Sequence, residues 1–520
     1  MVIISGGAVV DGTGAPRVVA DVAFEGDTIV AIGDLRGAEG TRIDARGRLV
    51  APGLIDLHTH SDATVLGFPS MSSSVRQGVT TEVGGNCGMQ VGLALGTSEF
   101  ELEQRLYHGP HPFCWTSLAE FAALVEEQGI AGNIAFLAGH GTLRKRVMGW
   151  QRGAPAPEAL ARMRAFLRQT LEEGAFGLST GLEYPPGSYA THAEIAPLVA
   201  EVAAVGGLYT THLRNEGDHL AEAVEEELRV ACETGVRLQI SHLKAERRRN
   251  WGKAREMLAR IHAARAAGID IACDVYPYTA FMTGLWVATL PAWAQEIPAE
   301  ELSKRIQEPG FRDRVANDMA EMEIDWEQLQ VAIAPQDRSL QGRTMAEIAR
   351  ERGVASHEAV LDLLAGGLVV AIVFAISEEE MRLVLRAPFT SVASDGTTRV
   401  ASEGADEDRV HPRCFGTFPR VLGRYAREEG LLSWEEAIHR MTGLPASRLG
   451  LRQRGVIRPG ARADLVVFDP ETVLDTATFV TPASYPRGIE HVFVNGVAVV
   501  RDGEETGARP GRVLRRGQAE

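Results

Sequence analysis

Six side chains that can bind a metal or move a proton each lie at or just after the end of a strand-like segment. Five of them lie in the runs APGLIDLHTH, GLYTTH, RLQISH and TSVASD, and the sixth follows TTEVGG. In chain order they are His58, His60, Cys87, His212, His242 and Asp395. His58 and His60 are two residues apart, and in a strand this spacing directs both side chains to one face. Thiolate and imidazole are zinc ligands, and a carboxylate can act as a general base. Together the six would form a metal site with a group that transfers protons.

These residues meet only if the strands that carry them end at one surface. The middle of the chain alternates strand-like and helix-like segments, a pattern typical of parallel β/α units. The predicted strands are 53–58, 80–84, 133–138, 175–179, 208–212, 237–242, 269–276, 368–376 and 390–394, and the predicted helices include 158–173, 219–234 and 254–267. In a barrel of eight such units, functional residues lie at the C-terminal ends of the strands. Segments 269–276 and 368–376 compete for the seventh position.

The two ends of the chain have a different pattern. Short alternating strands are predicted at 2–5, 18–25, 28–33 and 41–44, and the C-terminal part carries the hairpin signal Asn495-Gly496. We therefore predict an α/β protein with a (β/α)8 TIM-like barrel at 51–445. A small β-sandwich domain would be formed from both termini, 1–50 and 446–520. Four prolines interrupt the alternation at 285–352, which predicts an insertion late in the barrel and a candidate lid.

Composition limits the classes of function. The chain has 520 residues, 45% of them hydrophobic and 23% charged, as in globular proteins. Its formal charge of -16 argues against nucleic acid, which requires a concentrated basic surface. No apolar run is long enough to cross a bilayer, and the N-terminus lacks the features of a signal peptide. Five scattered cysteines fit a reducing compartment, so we expect a cytoplasmic protein with a small-molecule substrate; the oligomeric state is left open.

Other residues of the same types have ordinary interpretations. We interpret His140, His192 and His219 as hydrogen-bonded loop residues. The remaining cysteines are interpreted as small buried apolar residues: Cys114, Cys232, Cys273 and Cys414. The six strand-end residues could each have such an ordinary role, but separate roles would not explain why all six lie at one rim of the predicted barrel.

Several motifs carry a family resemblance. PGLIDLHTH (52–60) resembles the opening signature of the amidohydrolase superfamily, and His212, His242 and Asp395 follow its order. More narrowly, GGNCG, GLEYPPG, THLRNEG, ISHLK, DVYPYTA and HPRCFGTFPRVLG resemble the N-acyl-D-amino-acid deacylase (D-aminoacylase) family. The resemblance covers nearly the whole chain. The two histidines of the first motif alone indicate the superfamily with moderate specificity, and the ordered set of motifs indicates the family with high specificity.

The resemblance implies a metal centre with an unusual ligand. Many amidohydrolases bridge two metals with a modified lysine at the end of the fourth strand, but GAFGLSTGLEY contains no lysine. Cys87 is the implied substitute, and soft sulfur favours zinc over magnesium or calcium. The implied ligands are Cys87, His212 and His242 for one tight zinc, and His58 and His60 for a possible second, weaker site. Gly84, Gly85 and Gly88 would let the backbone turn sharply and approach the metal.

The resemblance also implies a reaction. Zinc-activated water would attack the amide of an N-acyl-D-amino acid, with Asp395 taking a proton and passing it to the departing amine. Tyr184 would help to stabilise the oxyanion. The family's clamp for the substrate carboxylate corresponds here to Lys244, Tyr276 and Arg413. The apolar run around Met282 suggests a hydrophobic D-side chain rather than D-glutamate or D-aspartate. Preference for D over L is implied only by the resemblance.

Two other classes of function stay open. One is a different amidohydrolase reaction on the same metal frame, either cleavage of a dipeptide with a C-terminal D-residue or opening of a cyclic amide. Cys87, without a lysine on the fourth strand, argues against the cyclic amide. The other class is a non-catalytic scaffold on the same barrel. The presence of all six strand-end residues argues against it.

Overall fold

A barrel of parallel strands forms the centre of the computed structural model, which describes residues 1–93, 115–297, 299–401 and 408–518. In chain order its strand segments are Leu54–Asp56, Val79–Gly84, Asn133–Phe136 with Ala138–Gly139, Gly177–Gly181, Leu208–His212, Arg237–Ile240, Ile271–Val275 and Thr390–Val392. Asn133–Phe136 pairs with the second strand and Ala138–Gly139 with the fourth. The last strand meets the first at the rim, where Asp395 N donates to His58 O (2.8 Å) and His60 N donates to Gly396 O (2.7 Å). The predicted barrel is confirmed.

Helices cover the outside of the barrel, so its strands are buried on both faces. The helix Leu220–Thr234 illustrates the packing, because its buried residues recur at 220, 223, 224, 227, 228 and 231, a helical period. It ends at Gly235, whose φ of 69° supplies the left-handed cap. The other helices outside the insertion are Ser72–Val75, Leu118–Gln128, His140–Met148, Pro157–Glu172, His192–Ala204, Lys253–Ala266, Glu378–Arg386, Arg413–Arg420 with the π-helix Val421–Glu428, Trp434–Met441 and Gly443–Leu449.

The structure decides between the two candidates for the seventh strand. Ile271–Val275 lies between the sixth and eighth strands of the barrel, in parallel with both. Val370–Val373 instead pairs antiparallel with Phe281–Gly284 and Leu329–Ile333 in a separate three-stranded sheet. Both segments are apolar and buried, so their composition could not distinguish them.

The sheet with Phe281–Gly284 belongs to an inserted layer, residues 281–373, between the seventh and eighth barrel strands. The layer has its own apolar core. Its helices are Leu285–Thr289, Ala292–Gln295, Ala299–Arg305, Pro309–Glu321, Met345–Arg352 and Ser356–Ala365. Two of its strands, Phe281–Gly284 and Val370–Val373, lie outside the segment 285–352.

Strands from both termini form one nine-stranded sheet in the described part of the chain. They are Val2–Val9, Val18–Glu25, Thr28–Gly33, Thr41–Asp44 and Leu49–Pro52, followed by Leu465–Phe468, Ile489–Val494, Val497–Arg501 and Glu504–Glu505. The rings of Phe24 and Phe493 are 5.2 Å apart although four strand steps, about 19 Å if flat, separate their strands. The sheet therefore folds over on itself around one apolar core, as a sandwich does. Asn495-Gly496 forms the predicted hairpin turn, with φ values of 48° and 77°.

The remaining cysteines and histidines are placed as follows. Cys273 and Cys414 are buried as predicted, and Cys114 lies outside the described residues. The prediction for Cys232 is wrong, because this thiol is exposed on the outer face of the helix Leu220–Thr234. His140 and His192 each bond a glutamate as predicted, but they begin helices and do not lie in loops. His219 precedes the helix Leu220–Thr234 and lies 3.8 Å from Glu222. No helix in the described ranges has the length and apolarity that a membrane span requires.

Candidate active site

The strand-end residues converge at the C-terminal rim of the barrel. Cys87 Sγ lies 3.3 Å from His58 Nε2 and 3.6 Å from His242 Nε2. His212 Nδ1 lies 2.9 Å from His242 Nε2. All four side chains are buried. Residues that are up to 184 positions apart in the sequence, from 58 to 242, therefore direct sulfur and nitrogen atoms at one point.

Asp395 completes this group. Its Oδ1 lies 3.3 Å from His58 Nε2 and 3.1 Å from His60 Nε2, and its Oδ2 accepts a hydrogen bond from Arg413 (2.7 Å). The ligand atoms of His58, Cys87, His242 and Asp395 all lie within 4.8 Å of one another. We call these four residues with His212 the donor cluster. His60 lies at its edge and its side chain is 21% exposed.

Three members of the donor cluster lie in an unusual backbone conformation. The φ values of Cys87, His242 and Asp395 are 51°, 34° and 52°, in the left-handed region that costs energy for residues other than glycine. Such strain persists only where the surrounding structure enforces it, and it concentrates at functional sites. The structure thus holds three side chains at the rim in positions that an unstrained strand end would not reach.

Two of the three glycines around Cys87 make the sharp turn that the sequence predicts. Gly85 and Gly88 do have positive φ values, 83° and 75°, and turn the backbone sharply. However, a Cβ on Gly85 would lie 2.3 Å from Leu137 O, and a Cβ on Gly88 would lie 2.7 Å from Gly181 N. These glycines therefore also allow a close approach to the third and fourth strands, against which the Cys87 turn packs.

Each imidazole of the donor cluster is oriented by a carboxylate behind it. One ring nitrogen points into the cluster, and the other faces a carboxylate: His58 bonds Asp274 (3.2 Å) and His212 bonds Glu183 (2.8 Å), while His242 Nδ1 lies 3.0 Å from Glu216 Oε1 as an ion pair without hydrogen-bond geometry. Such pairs fix the tautomer and ring orientation of metal-binding histidines. Sequence reasoning did not assign these carboxylates a role. The available signal was their position inside DVYPYTA, GLEYPPG and THLRNEG.

The electrostatics of the site favour a thiolate. Burial alone would raise the pKa of the Cys87 thiol, but the charge of His58 and the hydrogen bonds to His212 and His242 hold it well below its usual value. For His60, burial lowers the pKa, but the bond to Asp395 outweighs it and the pKa rises to about 9. Cys87 is thus in the form that binds metals.

A cavity of about 550 Å³ opens above the donor cluster. The other residues predicted for the site all line it: Tyr184, Lys244, Tyr276, Met282 and Arg413. Tyr184 Oη lies 3.3 Å from His212 Nδ1, next to the donor cluster. Met282 lies on the first strand of the inserted layer, which forms one wall. All the predicted site residues line this cavity except His58, which is buried in the donor cluster.

Known proteins resemble this chain along nearly its whole length. A sequence model of the amidohydrolase family matches residues 41–500. The chain is 38% identical to D-aminoacylase of Alcaligenes xylosoxydans xylosoxydans, covering 99% of this chain and 97% of the relative. It is 39% identical to N-acyl-D-glutamate deacylase of the same organism, covering 99% and 96%.

The chain belongs to the amidohydrolase family. The resemblance of its motifs to the N-acyl-D-amino-acid deacylases is confirmed. Among solved structures, N-acyl-D-glutamate deacylase from Bordetella bronchiseptica superposes with a TM-score of 0.84 at 36% identity, covering 99% of both chains. That crystal structure holds zinc and a phosphonate inhibitor that mimics the tetrahedral intermediate of the reaction.

The donor cluster of this amidohydrolase fits a divalent metal. A thiolate and imidazole nitrogens are the ligands that zinc prefers, and its catalytic sites keep one position open. Metals bind deprotonated thiols and neutral imidazoles, and the low pKa of the Cys87 thiol favours its deprotonated form. The cavity above the cluster supplies the space for the open position.

The carboxylate behind His212 gives a first prediction. Substitution of Glu183 by glutamine should weaken zinc binding by about 10- to 100-fold, because the orienting acceptor of the ring loses its negative charge. Zinc affinity would be measured by competition with a chromogenic chelator. Glu233→Gln is the matched control, since Glu233 accepts from His192 at 2.7 Å on the protein surface. Equal zinc affinity in the two variants would contradict an orienting role for Glu183.

Proposed function

We propose that this chain is a zinc-dependent deacylase that hydrolyses N-acyl-D-amino acids to a carboxylate and a free D-amino acid. The observation that carries the proposal is the convergence of a thiolate, imidazoles and a carboxylate below a cavity with a cationic wall. Relatives that match along nearly their whole length are named for this reaction.

In this proposal Cys87, His212 and His242 hold one tight zinc, and His58 and His60 form a second, weaker site. Cys87 contacts an imidazole of each set, His58 at 3.3 Å and His242 at 3.6 Å. When bound, zinc supplies a Lewis acid that lowers the pKa of a water ligand to about 7. The protein's own residues transfer the proton, stabilise the oxyanion and bind the substrate carboxylate.

Asp395 is proposed as the group that carries the proton. Burial alone would raise the pKa of Asp395, but Arg413 and His58 hold it well below its usual range, so the carboxylate is ionised at neutral pH. It accepts the proton of the attacking water and then donates it to the nitrogen of the departing amine. Its position in the donor cluster supports this role.

Tyr184 is proposed to stabilise the oxyanion that forms when the amide carbonyl is attacked. Burial and then Glu183 raise the pKa of this phenol well above its usual value, so Tyr184 is a hydrogen-bond donor at neutral pH. Its hydroxyl lies beside the donor cluster, 3.3 Å from His212 Nδ1. A donor aimed at developing negative charge is a large contribution to amide hydrolysis.

The substrate carboxylate is proposed to bind Lys244, Tyr276 and Arg413, which we call the carboxylate clamp. Lys244 and Arg413 already bond Glu216 and Asp395, but lysine has three donors and arginine five. Among the described residues, the buried Tyr276 Oη and Arg413 Nε have no hydrogen-bond partner. Two unused donors in the wall of a cavity suit a bound carboxylate.

The wall formed by the inserted layer leads to a second prediction. Phe281 and Met282 are apolar and lie beside the clamp, with Lys244 Nζ 5.8 Å from the centre of the Phe281 ring. We expect kcat/KM on N-acetyl-D-leucine and N-acetyl-D-phenylalanine to exceed that on N-acetyl-D-glutamate at least tenfold, since an ionised side chain loses its hydration there. Initial rates on the three substrates and their L-isomers measure this. A preference for D-glutamate would contradict it.

The proposed function itself is tested by zinc quantitation combined with that panel. We expect about one tightly held zinc per chain and turnover of D- rather than L-substrates. Zinc-loaded protein that turns over none of the N-acyl-D-amino acids would contradict the proposal. Turnover of dipeptides with a C-terminal D-residue in place of N-acetyl substrates would indicate the alternative amidohydrolase reaction.

Two further proposals concern organisation and location. We propose that 1–50 and 446–520 form the small β domain and 51–445 the catalytic domain, in support of which Leu49–Pro52 pairs with Leu465–Phe468. We also propose a cytoplasmic location. The described cysteines form no disulfide with one another, and a thiolate ligand at Cys87 requires reducing conditions.

A further inference from the structure

The cavity wall next to the clamp carries a carboxylate without a partner, that of Glu246. The residue is 9% exposed and lines the cavity. Its carboxylate makes no hydrogen bond or ion pair with any residue in the described part of the chain, although its backbone is fixed by a bond from Glu246 N to Glu216 O (2.8 Å). Burying an unpaired carboxylate costs several kcal/mol. In a cavity that binds ligands, it indicates a ligand group that supplies the missing positive charge.

The surroundings of Glu246 have excess negative charge. Oxygens of Glu183, Glu216 and Glu246 lie within 4.8 Å of one another. Lys244 neutralises Glu216, and no second cation pairs with Glu246 among the described residues. Lys244 and then Arg247 are near enough to lower the pKa of Glu246, but neither forms an ion pair with it. Burial and then Glu183 raise the pKa of Glu246 to about 8, so without a ligand the group is mainly the protonated acid at neutral pH, and a bound cationic group would favour the ionised carboxylate.

Glu246 is placed to contact the substrate side chain. Lys244 and Glu246 are two residues apart in the loop after the sixth barrel strand, and both line the cavity. The apolar wall runs beside this segment, because Phe281 pairs with Val373 and Glu246 forms a bridge to Ile376. A substrate side chain on this wall, next to a carboxylate held by Lys244, would therefore lie beside both apolar atoms and the carboxyl group of Glu246.

We infer that Glu246 is a specificity-determining residue that binds the cationic end of a D-lysine or D-arginine side chain and excludes D-glutamate and D-aspartate. The aliphatic stem of such a residue packs on apolar surface while its head bonds a carboxylate. The inference rests on the proposed function, because it takes the substrate carboxylate to lie on the clamp. This role for Glu246 is compatible with the expected preference for hydrophobic side chains, because the aliphatic parts of D-leucine and D-lysine would contact the same apolar wall.

The size of the effect follows from the kind of bond. A hydrogen bond to a charged group contributes about 1.5 to 3 kcal/mol, which is about 10- to 150-fold in kcat/KM. Glu246→Gln keeps the shape and removes the ability to ionise when a cationic side chain binds. The ratio of kcat/KM on N-acetyl-D-lysine to that on N-acetyl-D-leucine should fall at least tenfold in this variant, and the ratio for N-acetyl-D-glutamate should rise.

The experiment uses the full-length zinc-loaded protein and three substrates, N-acetyl-D-lysine, N-acetyl-D-leucine and N-acetyl-D-glutamate. The matched control is Glu323→Gln, which removes the same charge from the mouth of the same cavity, where the Glu323 side chain is 83% exposed. Its substrate ratios should stay within about twofold of wild type, because exposed charges are screened. Glu246→Ala provides a second variant, and thermal unfolding of both reports whether the fold is kept.

The outcomes separate the inference from the proposed function. Wild-type turnover of N-acetyl-D-leucine, with lysine-to-glutamate ratios that are unchanged in both folded Glu246 variants, would overturn the role of Glu246. An equal change in the substrate ratios of Glu323→Gln would overturn it as well, because the change would then reflect long-range electrostatics and not contact with Glu246. Absence of turnover on all three substrates by zinc-loaded wild type would instead contradict the proposed function.

Discussion

Substitution of Cys87 by serine is expected to remove the tightly bound zinc and to lower kcat/KM by at least about 10³-fold, which is about 4 kcal/mol of transition-state stabilisation. A serine hydroxyl stays protonated at neutral pH, whereas the environment of Cys87 holds the thiol pKa well below its usual value. Thiolate is also the softer ligand and the one that favours zinc. Cys87 lies within 3.6 Å of His58 Nε2 and His242 Nε2, so its loss affects the whole donor cluster.

The measurement is zinc content after dialysis, together with initial rates on N-acetyl-D-leucine. Cys273→Ser is the matched control, since this buried thiol lies in the seventh strand and contacts Thr390 Oγ1 at 3.2 Å, outside the donor cluster. It should keep both zinc and most of the activity. A Cys87→Ser protein that holds one zinc per chain and turns over substrate like wild type would contradict the proposed metal centre.

Asp395→Asn is expected to keep zinc and to lose about 10²- to 10⁴-fold in kcat. The amide has nearly the same shape and still accepts a hydrogen bond from Arg413, but it cannot accept the proton of the attacking water. Zinc should stay because Cys87, His212 and His242 are unchanged. This combination distinguishes a base from a structural residue, since loss of the fold would remove both zinc and turnover.

Asp325→Asn is the matched control for this substitution. Asp325 is exposed, lines the same cavity, and accepts from Glu327 N, a bond that asparagine can also form. Zinc content and kcat should both stay near wild type. For Asp395→Asn, near wild-type kcat would show that the assignment as base is wrong, and zinc loss in a folded protein would show that Asp395 acts chiefly as a ligand.

Much of the candidate site could be predicted from the sequence, because each residue is placed by its position relative to the strand next to it. In a barrel of parallel strands the C-terminal ends share one rim, so the position of a residue after its strand is sufficient to place it there. His58, Cys87 and Asp395 are far apart in the chain, yet each ends or follows a recognisable strand. The Asn495-Gly496 turn was predictable for the same reason, because its backbone conformation depends on those two residues.

Only the tertiary structure decided which distant segments pair and which polar groups meet. Ile271–Val275 and Val370–Val373 are both apolar, and the choice of barrel strand depended on the neighbours that each could pack against. The partners of the imidazoles, Asp274, Glu183 and Glu216, and the absence of a partner for Glu246 within the described ranges, are likewise properties of contacts between separate loops. Residue spacing encodes which face of an element is buried. It does not encode the contacts made across the barrel rim, because these depend on how all the loops pack together.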